Sequence, residues 1–190
     1  MIGEKMQVIT GSARGRKLIT VEGTELVRPT SQKVKEAIFS AIQFDIEDAE
    51  VLDLFAGSGQ LGIEALSRGA KFCTFADNSA VSLKVVRENI RHTGFEDCSE
   101  VVNKPFGAFL KLTGKRFDIA FLDPPYGKKL IQKALPDLCE KMSGRGIIVC
   151  EHEKECALPK NIGDFTLVKT LNHGIVGVSI YRIVNSDEDE

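Results

Sequence analysis

The ten residues DLFAGSGQLG, positions 53–62, place Gly57, Gly59 and Gly62 in a G-x-G-x-x-G spacing between an apolar run and a helix-like one. The run VLDLF from Val51 has the aliphatic content of a buried strand, and residues 61–67 behind the loop have helical character. Glycine allows positive φ and lets a ligand approach the backbone where a Cβ would obstruct it. The helix that follows presents unpaired N–H groups. Strand, glycine loop and helix in this order form the nucleoside-binding start of a wound α/β fold.

The same rhythm continues along the chain. Strand-like runs begin at Lys71, Glu100, Phe117 and Gly146, separated by helix-like segments over 81–92, 106–112 and 130–142. Alternating strands and helices predict a mostly parallel sheet with helices on both faces. After the fifth strand, DFTLVKTLNHG and GVSIYRIV are joined by a glycine turn without a helix, which predicts a closing antiparallel hairpin at the sheet edge. Ahead of the sheet, MQVITG and RKLITV suggest a small hairpin, and SQKVKEAIFSAI a helix capped by Thr30 or Ser31. The expected architecture is a seven-stranded Rossmann-like domain over 31–184, an N-terminal basic hairpin extension over 1–30, and an acidic tail, 185–190, that is expected to be solvated.

At 190 residues, with 43% hydrophobic and 27% charged positions, the composition is that of one globular domain. No apolar run is long enough to span a bilayer, and a soluble, cytoplasmic monomer is expected. Five scattered cysteines with no Cys-x-x-Cys pair read as reduced thiols. The cluster CEHEKEC, 150–156, matches no common zinc spacing, so no metal is expected. The net charge of −2 conceals a basic first segment: residues 1–35 carry seven Lys and Arg against three Glu.

Two further stretches carry chemistry. FADNS ends the second strand, placing Asp77 where a carboxylate can take both hydroxyls of a ribose; alternatively Asp77 caps the next helix. A dinucleotide would suit these features as well, but Asp53 just ahead of the loop would repel a pyrophosphate, whereas it could hold the ammonium group of S-adenosylmethionine directly or through the loop. The fourth strand ends in DPPYG, on the same rim as the glycine loop. Pro124 and Pro125 remove two backbone donors, leaving the Asp123 carboxylate and the Pro124 carbonyl as acceptors beside the Tyr126 ring. Two acceptors on the hydrogens of an exocyclic base amine favour a pyramidal nitrogen with its lone pair aimed at a methyl donor, while the ring stacks on the base.

DLFAGSGQLGIEALSRGA and FLDPPYG resemble motifs I and IV of class I S-adenosylmethionine-dependent amino-methyltransferases. Together with GSARGRKL, 11–18, and RPTSQKVKEAIFSAI, 28–42, the arrangement is similar to the bacterial RsmD family, which methylates guanine N2 in 16S ribosomal RNA. The resemblance covers nearly the whole chain. It implies a class I methyltransferase fold, S-adenosylmethionine as cofactor, and ribosomal RNA, within a small-subunit particle, as substrate. It also implies that Asp53, Phe55, Gly57, Gly59, Asp77, Asn78 and Phe106 form the cofactor site, and that Asp123, Pro124, Pro125 and Tyr126 form the base site. Two departures stand out. Asp77 replaces the family's usual Glu, and Pro105 replaces a polar residue that usually meets the adenine, leaving adenine contacts to the backbone near Phe106.

DNA adenine or cytosine amino-methyltransferases share Asp-Pro-Pro-Tyr, and a nucleoside-binding module without catalysis is a third reading. The small chain without an added DNA-recognition domain favours a structured RNA. Arg14, Arg16, Lys17 and Arg28 are the expected phosphate contacts, Arg28 having the alternative of anchoring the methionine carboxylate.

Overall fold

The computed structural model describes residues 6–20 and 31–184. Arg28 and the acidic tail, 185–190, lie outside the described residues. Strands β1 (Glu50–Leu54), β2 (Phe72–Asp77), β3 (Ser99–Asn103), β4 (Phe117–Leu122) and β5 (Met142–Glu153) pair in parallel; β6 (Asn161–Ile162), β7 (Phe165–His173) and β8 (Val176–Ile183) complete the sheet in antiparallel fashion. The spatial order is β3-β2-β1-β4-β5-β8-β7-β6. Neighbours of β1 on either side are β2 and β4, so the winding direction reverses there and opens a crevice at the carboxyl ends of β1 and β4. The sheet has eight strands where seven were expected, because the chain before β7 folds back for two residues and pairs Ile162 with Phe165.

Helices α1 (Gln32–Ala41), α2 (Gln60–Ser67), α3 (Ala80–Thr93), α4 (Phe106–Leu112) and α5 (Leu130–Cys139) cover the two faces. Ser31 caps α1 by accepting a hydrogen bond from Val34 N at 3.3 Å. Helix α5 stops at Cys139, short of the expected 142, because Met142 is already in β5 opposite Phe117. Alternate side chains of each strand enter separate cores. Val51, Phe75, Phe121 and Val149 pack with α1, α2 and α3; Leu52, Leu54, Leu122 and Ile148 pack with α4 and α5. Asp53 therefore sits between residues of the second core in sequence, on the face that α2 covers.

Helix α2 rests almost on the backbone of the sheet. A Cβ at Gly62 would lie 2.4 Å from Phe75 Cε1 and 2.6 Å from Cys73 Sγ, so only glycine permits this approach.

The expected N-terminal hairpin appears as one bridge, Gln7 to Lys17, with a turn rather than two strands. Its order comes from α2 and α3. Glu64, fully buried in α2, accepts from Ile9 N at 2.8 Å and Thr10 N at 3.0 Å, and faces Lys35 Nζ at 3.2 Å and Arg68 Nε at 2.9 Å. Asn89 of α3 holds both Ile19 N–H and Ile19 O, and also donates to Ser58 O. Val8, Ala13 and Leu18 are thereby buried in the same core as α1–α3.

Lys35 is buried, and burial pulls its ammonium below the usual range while Glu64 opposes that shift. Removing one partner of a buried pair leaves an uncompensated charge, at a cost of about 3–5 kcal/mol. Glu64→Gln should lower unfolding stability by about that amount in urea titrations, and Lys35→Met added to it should recover part of the loss.

Candidate functional site

The crevice is a cavity of about 420 Å³, within the range of roughly 300–1,000 Å³ common for small-molecule sites. Its wall brings together Asp53, Phe55, Gly57, Asp77, Asn78, Phe106, Asp123 and Pro125 from the ends of β1, β2 and β4 and the start of α4. Met6 and Thr20 of the N-terminal segment and Gln60 of α2 also line it. Nothing in the spacing of the chain pointed to Met6 and Thr20, whose place depends on the Glu64 and Asn89 contacts, whereas Gln60 is carried in by the glycine loop itself.

The glycine loop is shaped by carboxylates. Asp77 Oδ2 accepts from Gly57 N at 3.0 Å and its Oδ1 from Ser79 N at 2.8 Å. Each oxygen keeps further lone-pair capacity toward the cavity. The cap of α3 is Ser79, which accepts from Ser82 N, so Asp77 is not a helix cap. Phe55 (φ 75), Gly57 (φ 56) and Gly59 (φ 77) all have left-handed backbone, and Phe55 N and Ala56 N both donate to Ala76 O. A left-handed phenylalanine is strained. Here the two bonds to β2 and the Phe106 ring, 5.3 Å away, hold it.

Asp53 lies at the floor, 2% exposed, with Oδ2 accepting from Gly62 N at 3.0 Å. Burial pushes its carboxyl up to about 8; the Gly62 N–H works against that, and the Asp123 and Asp77 carboxylates add to it. The Asp77 and Asp123 carboxylates disfavour a pyrophosphate here, and a bound cation is favoured further because it draws Asp53 toward its ionised form. Lys104 and Lys128, also in the wall, are exposed to solvent and screened.

Asp123 is half-buried, Pro124 is buried, and Pro125 and Tyr126 are exposed at the rim. The Tyr126 hydroxyl donates to Glu151 Oε1 at 3.4 Å, and burial, with Glu151 and Asp123 nearby, raises its pKa. Glu151, 25 residues away on β5, carries no motif in the sequence and was not anticipated. His152, next to it, has Nδ1 against Glu153 O and Nε2 against Ser179 Oγ, both at 2.8 Å, so both ring nitrogens are engaged within the fold.

Arg14, Arg16 and Lys17 are exposed, but at the far end of α3: the Arg16 guanidinium donates to His92 O. Ser82 lines the cavity and His92 lies ten residues along the helix, so Arg16, with Lys17 beside it, stands roughly 15 Å from that part of the cavity wall at 1.5 Å rise per residue.

The family model described as Conserved hypothetical protein 95 matches residues 6–182. YlbH of Bacillus subtilis is 39% identical over 182 residues, covering 93% of this chain and 98% of its own. The Ribosomal RNA small subunit methyltransferase D of Haemophilus influenzae is 37% identical over 185 residues, covering 94% of each chain. The solved structure of yhhF from Escherichia coli superposes with a TM-score of 0.84 at 32% identity, over 94% of this chain and 98% of that one.

The raised Asp53 carboxyl predicts a pH-dependent stability. Unfolded, the group titrates near its ordinary 3.8; folded, near 8. Its contribution is fully present below pH 4 and is lost as pH rises toward 8, because only the folded chain still holds the proton there. Asp53→Asn keeps an acceptor for Gly62 N without the titration. Urea unfolding should show wild type losing stability relative to Asp53→Asn between pH 5 and pH 8, by up to about 4 kcal/mol. Parallel pH profiles would contradict it.

Proposed function

Since this chain belongs to the family described as Conserved hypothetical protein 95, that of the RsmD ribosomal RNA methyltransferases, we propose that it methylates the exocyclic N2 amine of a guanine in small-subunit ribosomal RNA, using S-adenosylmethionine. The observation that carries this reading is one crevice uniting the carboxylate-shaped glycine loop with Asp123 and Pro125 of the Asp-Pro-Pro-Tyr turn. The resemblance of residues 11–18 and 28–42 to the family's N-terminal segments, beyond the two shared motifs, supports the choice of guanine N2.

The residues suit the cofactor. Gly57 leaves its Cβ position open, with Phe55 O the nearest atom at 3.9 Å, so a nucleoside can lie against the loop. Asp77 is placed to accept ribose hydroxyls, Phe55 and Phe106 offer an aromatic wall for adenine, and the acid cluster favours the positive sulfonium. When bound, the cofactor supplies an electrophilic methyl whose bond to sulfur breaks, with both electrons going to sulfur, as the amine lone pair bonds to carbon. The Asp123 carboxylate and Pro124 carbonyl hold the two amine hydrogens and aim that lone pair. Tyr126 stacks on the base, its hydroxyl steadied by Glu151. The nitrogen becomes acidic once methylated, so its surplus proton passes to Asp123 or to water and no strong base is required.

Arg14, Arg16 and Lys17 are proposed to contact RNA phosphates at a second point, about 15 Å from the target base. Two separated contacts read the shape of a folded RNA, which suits a monomer acting on a small-subunit particle rather than on a short single strand.

Labelled methyl transfer to small subunits, naked ribosomal RNA and DNA from cells lacking the protein tests the reading. N2-methylguanosine in the ribosomal RNA is expected; label appearing as N6-methyladenine or N4-methylcytosine in DNA would overturn it. Asp123→Ala should lower kcat about 10²–10³-fold with binding of S-adenosylhomocysteine nearly unchanged. Loss of base stacking costs about 1–3 kcal/mol, so Tyr126→Ala should be severe in kcat/KM, whereas Tyr126→Phe, losing only a 3.4 Å contact, should be mild. Replacing Arg14, Arg16 and Lys17 together with Ala should flatten the salt dependence of RNA binding by up to three phosphates' worth and spare cofactor affinity. An unchanged slope would move the RNA surface elsewhere.

A further inference from the structure

Gln60 opens α2 directly after Gly59 and lines the cavity, although it is only 7% exposed. Its Oε1 is buried and has no hydrogen-bond partner. Native interiors rarely carry such an oxygen, and the packing around it is not loose. One turn along the same helix, Glu64 is met by Ile9 N, Thr10 N, Lys35 Nζ and Arg68 Nε, every contact within 3.2 Å. The unmet acceptor is therefore confined to the position that borders the cavity.

The layout of the cavity says what would meet it. Asp77 and Asn78 end β2 on one side of the Gly57–Gly59 turn, and Phe106 closes that side. Gln60, Leu61 and Met6 line the cavity beyond the turn, at the start of α2 and in the N-terminal segment. With a ribose on Asp77 and a base against Phe106, the part of the wall formed by Gln60, Leu61 and Met6 is left for the 5′ substituent. In S-adenosylmethionine that substituent ends in an α-ammonium and an α-carboxylate. We propose that Gln60 is the positioning residue for this amino-acid end, its Oε1 accepting from the ammonium and its amide N–H meeting the carboxylate. The terminal torsion of glutamine is broad, so the amide turns toward the cavity at little cost. A neutral amide also serves both charges of the zwitterion without adding a fourth negative group to Asp53, Asp77 and Asp123.

This inference rests on S-adenosylmethionine being the cofactor, and calorimetry with two probes separates the two claims. S-adenosylhomocysteine carries the amino-acid end; 5′-methylthioadenosine keeps the nucleoside and sulfur and lacks it. Gln60→Leu should weaken S-adenosylhomocysteine roughly ten- to hundredfold, the range for hydrogen bonds to charged groups, and leave methylthioadenosine affinity unchanged. The ligand-free variant should melt no lower than wild type, since the substitution removes a buried unmet oxygen. Gln60→Ala gives the same comparison of probes should the leucine disturb packing. Unchanged affinity for S-adenosylhomocysteine, or equal loss for both probes, would overturn the role of Gln60. Failure of the wild-type protein to bind either probe would instead overturn the cofactor reading.

Discussion

Two carboxylates on neighbouring strands fasten the glycine loop at its two ends, and the rest of the molecule is arranged around that clamp. Asp77, ending β2, takes Gly57 N, and Asp53, inside β1, takes Gly62 N. Between these bonds the chain must turn through left-handed residues and enter α2 within a few positions. The clamp sets the angle of α2 on the sheet, and the missing Cβ of Gly62 sets its distance. With α2 placed, Glu64 points at the N-terminal segment and Gln60 at the cavity. The carboxylate bond at the Asp77 end is worth more than a neutral one, and the Asp53 oxygen accepts from Gly62 N with or without its proton.

The same carboxylates give the cavity its preference for charge. Asp53 is 2% exposed in the cavity wall, with Oδ2 committed to Gly62 N. A cation entering the crevice relieves repulsion among the three acids; an anion adds to it. Asp77 is pre-oriented by two backbone donors, so the ribose hydroxyl proposed for it would meet a carboxylate whose rotamer is already decided. That lowers the entropy lost on binding.

The N-terminal segment is part of the catalytic domain's core rather than an appendage on its surface. It crosses α2 and α3, contributes Met6 and Thr20 to the cavity wall, and carries its cations to the opposite end of α3. One stretch thus borders the cofactor region and, about 15 Å away, presents positive charge. Among the described residues, no helix is long and apolar enough to cross a membrane.

Strand and helix positions were legible from period and spacing, because β1–β4 and α2–α4 are local: their apolar content and the glycine punctuation state them within a residue or two. Gly57, Asp77 and Asp123 were legible as neighbours of one cavity for the same reason, since topology places every strand end on the same edge, whereas Gly59 faces Phe75 and Val86 of the core. What the chain could not show is where side chains separated by dozens of positions meet. The Glu64 contacts span more than fifty residues, and Tyr126 with Glu151 spans 25. Gln60 looks in sequence like one more polar residue in a glycine loop, and Asp53 like a ligand-facing acid. Only packing buries the first to 7% with an unmet oxygen and gives the second a bond to Gly62 N while it still borders the cavity, because desolvation and hydrogen-bond satisfaction are properties of a whole neighbourhood and not of a residue.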